Sequence, residues 1–208
     1  MSSKSKFLHY GLDQLSGALA VESRIPNILE MIANRPSDFL ADVWKKLDAE
    51  NCSAGHRGQY LLIGLVSILI REGIGPFYLN CGVKGIPTHS WDIVLASEDG
   101  AITAISANVT LKERWKTENL AAWGLKREYS SSQAIVIVRN EEEVSNLNRR
   151  IQKKEAEYID SCAQAFSSQL DTFISNLKNG QFEERNWIID RGLRNKGLGP
   201  INSRNVGD

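Results

Sequence analysis

The sequence places an aspartate at the start of one predicted strand and polar side chains near the end of the next. Asp92 lies near the start of the apolar run 91–96, and Ser106 and Asn108 lie in the alternating run 101–109. A carboxylate in this position is a common way to hold Mg²⁺ through oxygen ligands. The bound ion can generate a hydroxide and stabilise the charge that develops when a phosphodiester is cleaved. Taken alone, Asp92 is better explained as a polar residue at a strand end.

The register between the two predicted strands decides whether these polar residues meet. Residues 97–100 (SEDG) are a strong hairpin signal, because the final glycine adopts the left-handed conformation at little cost. If 98–100 form a three-residue loop, Asp92 lies opposite Ser106, and Asn108 is the diagonal neighbour on the same face. A two-residue loop would shift the register by one residue and separate them.

A charged, helix-forming segment follows Asn108 directly. Thr110 and Glu113 fit the S/T-x-x-E capping box, which predicts a helix from here to about Trp123. Glu113 is then best explained as the acid that closes the helix start. Three cations accompany it and form either a solvated face or contacts to phosphates; they are Lys112, Arg114 and Lys116.

The same region carries a resemblance to a known family. Residues 105–116 (ISANVTLKERWK) resemble the segment S-x-K-T-S-L-R-E-R-W-K of type II restriction endonucleases of the PD-(D/E)xK superfamily. Residues 90–95 (SWDIVL) stand where that family keeps its metal-binding aspartate, and residues 55–62 resemble the start of its preceding helix. The resemblance covers about 55–138. It implies an α/β fold with a restriction-endonuclease-like mixed β-sheet core flanked by helices, and Mg²⁺-dependent hydrolysis of double-stranded DNA.

The resemblance also implies a role for individual residues. Asp92 stands at the metal-binding carboxylate, and Ser106 stands where the family often has serine instead of a second strand acid. Two positions depart from the pattern: Asn108 replaces the catalytic lysine, and Gln59 replaces the acid of the preceding helix. An amide at the lysine position is similar to what some superfamily members carry.

Other side chains are candidates to replace the two missing groups. Lys112, one helical turn from Asn108, or Lys84 is a candidate for the positive charge. A second metal ligand is expected from Glu113 or from the N-terminal region, where the candidates are Glu22 and Glu30.

Two functional hypotheses follow. The first is a type II site-specific deoxyribonuclease that cuts double-stranded DNA. Cutting a palindrome requires a two-fold homodimer, with residues 140–177 expected in its interface, and the resemblance implies a cognate methyltransferase. The alternative is a catalytically degenerate protein that keeps the nuclease fold and binds DNA, or acts as a subunit beside an active partner. The substitutions at Gln59 and Asn108 favour the alternative.

The length of 208 residues suits a single α/β domain. Helical spacing of apolar residues predicts an N-terminal helical part over 1–54, with a loop at 51–58 before a helix over 59–72. The core, 55–139, holds predicted strands at 77–83, 91–96, 101–109 and 133–138. A mostly helical part over 140–179 and a basic tail over 180–208 complete the chain.

Charge and cysteine content limit the partners. The 25 basic residues balance 25 acidic ones, so a nucleic-acid site must be a local patch. In the tail, Arg191, Arg194 and Lys196 are candidate DNA contacts. The three separated cysteines read as reduced thiols, and the longest apolar run, 60–70, is shorter than the roughly 20 residues that span a bilayer. We expect a soluble, cytoplasmic protein.

Overall fold

The computed structural model describes residues 10–12, 15–86, 89–185, 188–190 and 198–203. The helices are α1 Ala18–Arg24, α2 Pro36–Lys46, α3 Ala54–Arg71, α4 Trp115–Glu128, α5 Glu141–Gln152 and α6 Ser168–Lys178. Single 3₁₀ turns lie at Ile28–Glu30, Ala49–Asn51 and Lys112–Arg114. The strands are β1 Phe77–Val83, β2 Ser90–Ala96, β3 Ile102–Asn108, β4 Gln133–Val138, β5 Ser161–Gln164, β6 Ile189–Asp190 and β7 Leu198–Ile201.

One mixed sheet contains all seven of these strands. The order β5-β4-β3-β2-β1-β6 runs across it, and β7 also pairs with β1. Strands β1, β2 and β3 form an antiparallel meander, whereas β3, β4 and β5 are parallel and are connected through α4 and α5. The predicted α/β class with a mixed sheet flanked by helices is therefore confirmed.

Helices cover both faces of the sheet. On one face, α3 packs against β2, β3 and β4 through residues such as Ile63, Ile93 and Ile105. On the other face, α4 and α5 pack against the same strands, with Leu125 and Val136 among the buried residues. Strand β4 is buried on both faces, which explains its continuous apolar sequence.

The predicted strands agree with the structure to within one residue at each end. The predicted loop at 51–58 is partly wrong, since α3 begins at Ala54. The Ser53 side chain accepts the His56 backbone N–H at 3.3 Å and caps the helix there. This cap satisfies one of the free amide groups at the helix start.

The predicted helical part 140–179 contains a strand that the sequence did not indicate. Strand β5 separates α5 from α6 and pairs in parallel with β4. Asp160, just before it, both donates its backbone N–H to Ala134 and accepts the Ala134 N–H through its carboxylate. Strand β5 has only four residues and is held by backbone hydrogen bonds, so it is too short to show an apolar pattern in the sequence.

The tail 180–208 is also not a separate appendage. Residues 189–190 and 198–201 form β6 and β7, which both pair with the outer edge of β1. Ile189 and Ile201 are buried there. Burial of these apolar side chains against β1 is the reason that this polar segment contributes strands.

The predicted capping box at Thr110 and Glu113 is wrong. No side chain caps the helix start, and the 3₁₀ turn begins after Leu111. The Leu111 and Lys112 N–H groups instead donate to the Glu143 carboxylate of α5, at 2.7 and 3.1 Å. The side chain of Glu113 extends outward and is 79% exposed. The Glu143 carboxylate, which is distant in sequence, thus provides the acceptor at the helix start that the local pattern predicted to come from Glu113.

Replacing Glu143 with alanine should destabilise the fold by about 1–3 kcal/mol, because two amide groups lose a charged acceptor. Urea unfolding monitored by circular dichroism measures this loss. The matched control is Glu142→Ala, since Glu142 is an exposed neighbour in the same first turn of α5. The control should change the free energy of unfolding by less than about 0.5 kcal/mol. Equal losses in both variants would contradict this assignment.

Candidate functional site

The β2–β3 hairpin has the loop length and the register that the turn signal predicted. Its partners include Ile93↔Ile105 and Ala96↔Ile102. The Ser97 N–H donates to the Ala101 carbonyl at 2.9 Å, which encloses a three-residue loop. This confirms the predicted loop length, and continuing the same register by one residue sets 92 opposite 106.

The Asp92 carboxylate binds the backbone of the neighbouring strand. Its Oδ2 accepts the Ala107 N–H at 2.7 Å. The paired residues of β2 and β3 extend as far as Ile93↔Ile105, and two residues further Ala107 would pair with Trp91. Asp92 therefore replaces a main-chain acceptor where the two strands begin to separate. The carboxylate is half-buried at the open end of the hairpin.

Strands β1 and β2 change face together at Asp92. Their partners are Leu79↔Ile93 and Cys81↔Trp91, and between them Asn80 has a left-handed φ of 48°. Asparagine tolerates this conformation better than most residues. Ile93 packs toward α3, but Trp91, two residues away, packs toward α4. The change of face brings the Trp91 indole to the side of the sheet that carries α4.

A buried carboxylate lies on that side. Glu118 of α4 is 2% exposed. Its Oε2 accepts the Ser106 hydroxyl at 2.6 Å and lies 3.4 Å from His89 Nε2. Arg114 Nη2 lies 3.8 Å from Oε1. The His89 ring in turn meets the Trp91 ring edge-on, with centroids 4.5 Å apart.

The surroundings keep Glu118 ionised. Burial acts to raise the pKa of the Glu118 carboxyl, but the nearby His89 ring, the Ser106 hydroxyl donor and the Arg114 charge outweigh it. The pKa of Glu118 is therefore lowered from its usual value. A buried carboxylate held in this form requires its donors, because an unpaired buried charge is strongly destabilising.

Asn108 is the other unusual group of this site. It is 2% exposed, and neither Oδ1 nor Nδ2 has a hydrogen-bond partner among the described residues. The Trp91 Nε1 is also buried without one. Each unsatisfied buried polar atom costs about 1–3 kcal/mol, so such atoms point to a bound water or ligand. Asn108 lies two residues after Ser106 and thus on the same face of β3.

Sequence reasoning missed Glu118 and His89. His89 stands alone in a loop, and Glu118 stands among charged residues in the sequence. One signal was available: Glu118 precedes Ala122 and Leu125 by four and seven residues, which places it on the buried side of α4. The pairing with Ser106 across α4 and β3 has no sequence signature.

The predicted charged residues after Asn108 lie on the surface. Lys112 is exposed and has a left-handed φ of 42°. Glu113 and Lys116 form an exposed ion pair, with 79% and 64% of their side chains accessible. Arg114 is 67% exposed, although it approaches Glu118. The predicted DNA contacts Arg191, Arg194 and Lys196 lie outside the described residues.

The other candidate replacements lie on separate elements. Gln59 of α3 donates to the Ser16 hydroxyl at 2.8 Å. Lys84 is exposed in the turn after β1, where its carbonyl accepts the Tyr129 hydroxyl. Within the described ranges, no three His, Cys, Asp or Glu side chains are grouped as a metal site. The oxygens of Asp92 and Asn108 are hard donors, and they fit Mg²⁺, which binds through one or two carboxylates and keeps several waters.

Comparisons with known proteins give no match. No family model matches the chain, and no curated protein or solved structure matches it either. Among the described helices, none has the length and apolar character needed to cross a membrane.

Replacing Glu118 with glutamine should make the melting temperature less dependent on pH between pH 7 and pH 3. Because the folded-state pKa lies below the ordinary value of 4.5, the carboxylate contributes stability above that pH, and the contribution is lost as pH falls through the lowered pKa. Thermal unfolding from pH 7 to pH 3 measures this. The wild-type melting temperature should fall more steeply than that of Glu118→Gln. Parallel profiles would contradict an ionised Glu118.

Proposed function

We propose that the chain is a Mg²⁺-dependent, sequence-specific endonuclease that hydrolyses phosphodiester bonds of double-stranded DNA, of the type II restriction class. The proposal rests on the three-residue hairpin loop, whose register, continued one residue past the last pair, would set Asp92 opposite Ser106, and on the half-buried Asp92 carboxylate at that strand end. The resemblance of residues 105–116 to restriction endonucleases supports it. The helix, three strands, helix and strand over 54–138 are compatible with the fold that this resemblance implies.

In this proposal each side chain has a defined task. Asp92 and the Asn108 amide oxygen would hold Mg²⁺, which when bound supplies charge stabilisation and an activated water. The Ala107 N–H fixes the orientation of Asp92. Glu118 of α4 fixes the orientation of the Ser106 hydroxyl by accepting its hydrogen bond. The exposed cations of the helix start, Arg114 and Lys116 or Lys112, would contact phosphates.

Cleavage in both strands requires two active sites, so we further propose a homodimer. A restriction activity would also require a cognate methyltransferase that protects host DNA, and the site of action would be the cytoplasm.

Incubating the purified protein with plasmid and phage DNA and Mg²⁺ tests the nuclease proposal. Discrete fragments should form, and chelation of the metal should stop their formation. Asp92→Ala should lower the rate at least about 100-fold, because the strand carboxylate proposed to hold the metal is removed. The matched control is Asp42→Ala on the exposed face of α2, which should cut like the wild type. Absence of cutting by a folded wild-type protein in both Mg²⁺ and Mn²⁺ would contradict this proposal.

A second candidate function is favoured by Asn108. A buried amide stands where the resemblance implies a lysine, and the nearby Asp92 carboxylate already binds a backbone N–H. These features suit a nuclease-fold protein that binds DNA without cleaving it, alone or beside an active partner. Such a protein retains electrostatic contacts to phosphates and loses affinity as salt concentration rises.

Replacing Asn108 with lysine separates the two candidates. If the chain is a non-cleaving relative, Asn108→Lys should introduce metal-dependent cutting that the wild type lacks, because an ammonium group then stabilises the developing charge. If the wild type already cuts, the second candidate is excluded. In the control Asn108→Met, the new side chain is about as long as lysine but carries no charge, so it should not introduce cutting.

A further inference from the structure

Helix α4 carries an exposed apolar stripe on the side away from the sheet. Leu120 is 64% exposed and Trp123 is 41% exposed, although both are large hydrophobic residues. The opposite side of the same helix is buried, with Glu118, Ala122 and Leu125 in the core. Exposed apolar patches that interrupt a polar surface commonly mark interaction sites.

Charged residues extend this stripe in both directions. The members recur at spacings of three and four residues, the spacing of one helix face; they are Glu113, Lys116, Leu120, Trp123 and Arg127. The four that lie in α4 fall within about 60° of arc at about 100° per residue, and Glu113 lies in the 3₁₀ turn that precedes the helix. Arg127 lies over the Trp123 ring, 5.6 Å from its centroid. We call these five residues the α4 stripe.

The α4 stripe is complementary to itself in the antiparallel orientation. A two-fold axis at Leu120 places Leu120 against its own copy. The same axis sets Trp123 against the first turns of α4 in the other copy. It also sets Glu113, seven residues before the axis, against Arg127, seven residues after it. No like charges meet in this arrangement, whereas a parallel arrangement would place each charge against itself.

We propose that the α4 stripe is the two-fold interface of a homodimer. The proposal rests on the proposed function only in the expectation that cutting both strands requires two copies. A second copy is favoured over another partner because, when the helix is reversed, Glu113 meets Arg127 across the apolar pair of Leu120 and Trp123. This contact lies on α4, outside the 140–177 region that the sequence suggested.

The size of the stripe sets the strength of the dimer. Helix α4 has 14 residues and a length of about 21 Å. One helix pair buries less than the roughly 1,200–2,000 Å² of a stable interface. The free protein should therefore dimerise weakly and reversibly.

Disulfide trapping tests the position of the axis. In a Cys52→Ser background, which removes the half-buried thiol, Leu120→Cys should form a covalent dimer under mild oxidation. The matched control is Leu19→Cys, because Leu19 is 70% exposed on α1. The Leu120→Cys variant should cross-link at least tenfold faster than the control at equal concentration. Equal rates would overturn the proposal.

Charge reversal tests the antiparallel orientation. Glu113→Arg or Arg127→Glu alone should weaken dimerisation about tenfold in analytical ultracentrifugation, because like charges then meet across the axis. The double variant should restore wild-type association. A double variant as weak as either single variant would overturn the orientation. Both experiments need neither DNA nor metal, so their outcome is independent of whether the protein cleaves DNA.

Discussion

One hydrogen bond, from the Ala107 N–H to the Asp92 carboxylate, organises the open end of the sheet. It provides an acceptor where the main-chain pairing of β2 and β3 stops, and it fixes the side chain that the proposed chemistry needs. On the other side of β2, Asn80 of β1 adopts a left-handed backbone conformation at the same level of the sheet. Because both strands change face at this point, Trp91 turns toward α4. Its ring there packs against His89, next to Glu118.

The polar cluster shows how charge is held inside an apolar sheet face. Glu118 is buried among side chains of α4 and the sheet, yet it remains ionised because Ser106 and His89 approach one oxygen and Arg114 approaches the other. Asn108, on the same strand as Ser106, lacks such partners among the described residues. The unsatisfied amide of Asn108 is the group on which the proposed metal site depends.

Local sequence patterns predicted the central strands well and long-range contacts poorly. The strands over 77–83 and 133–138 and the three-residue hairpin loop followed from apolar runs and a turn signal, which are properties of adjacent residues. Strand β5 and the contact of the Glu143 carboxylate could not be predicted in this way, because their partners lie about 30 residues away. At the candidate site, Ser106 was singled out from the sequence, but its contact with Glu118 was not, because it required the packing of α4 on β3.

The two C-terminal strands have a consequence for the order in which the protein matures. Strand β1 is apolar and is synthesised more than 100 residues before β6 and β7, which later cover its outer edge. Until they arrive, the emerging chain presents an unprotected strand edge, the kind of surface on which other chains add by β-pairing. Once folded, both sides of the sheet end in strands of four residues or fewer, which offer little length for such addition. Pairing of β6 and β7 with β1 therefore protects the folded protein from aggregation at this edge.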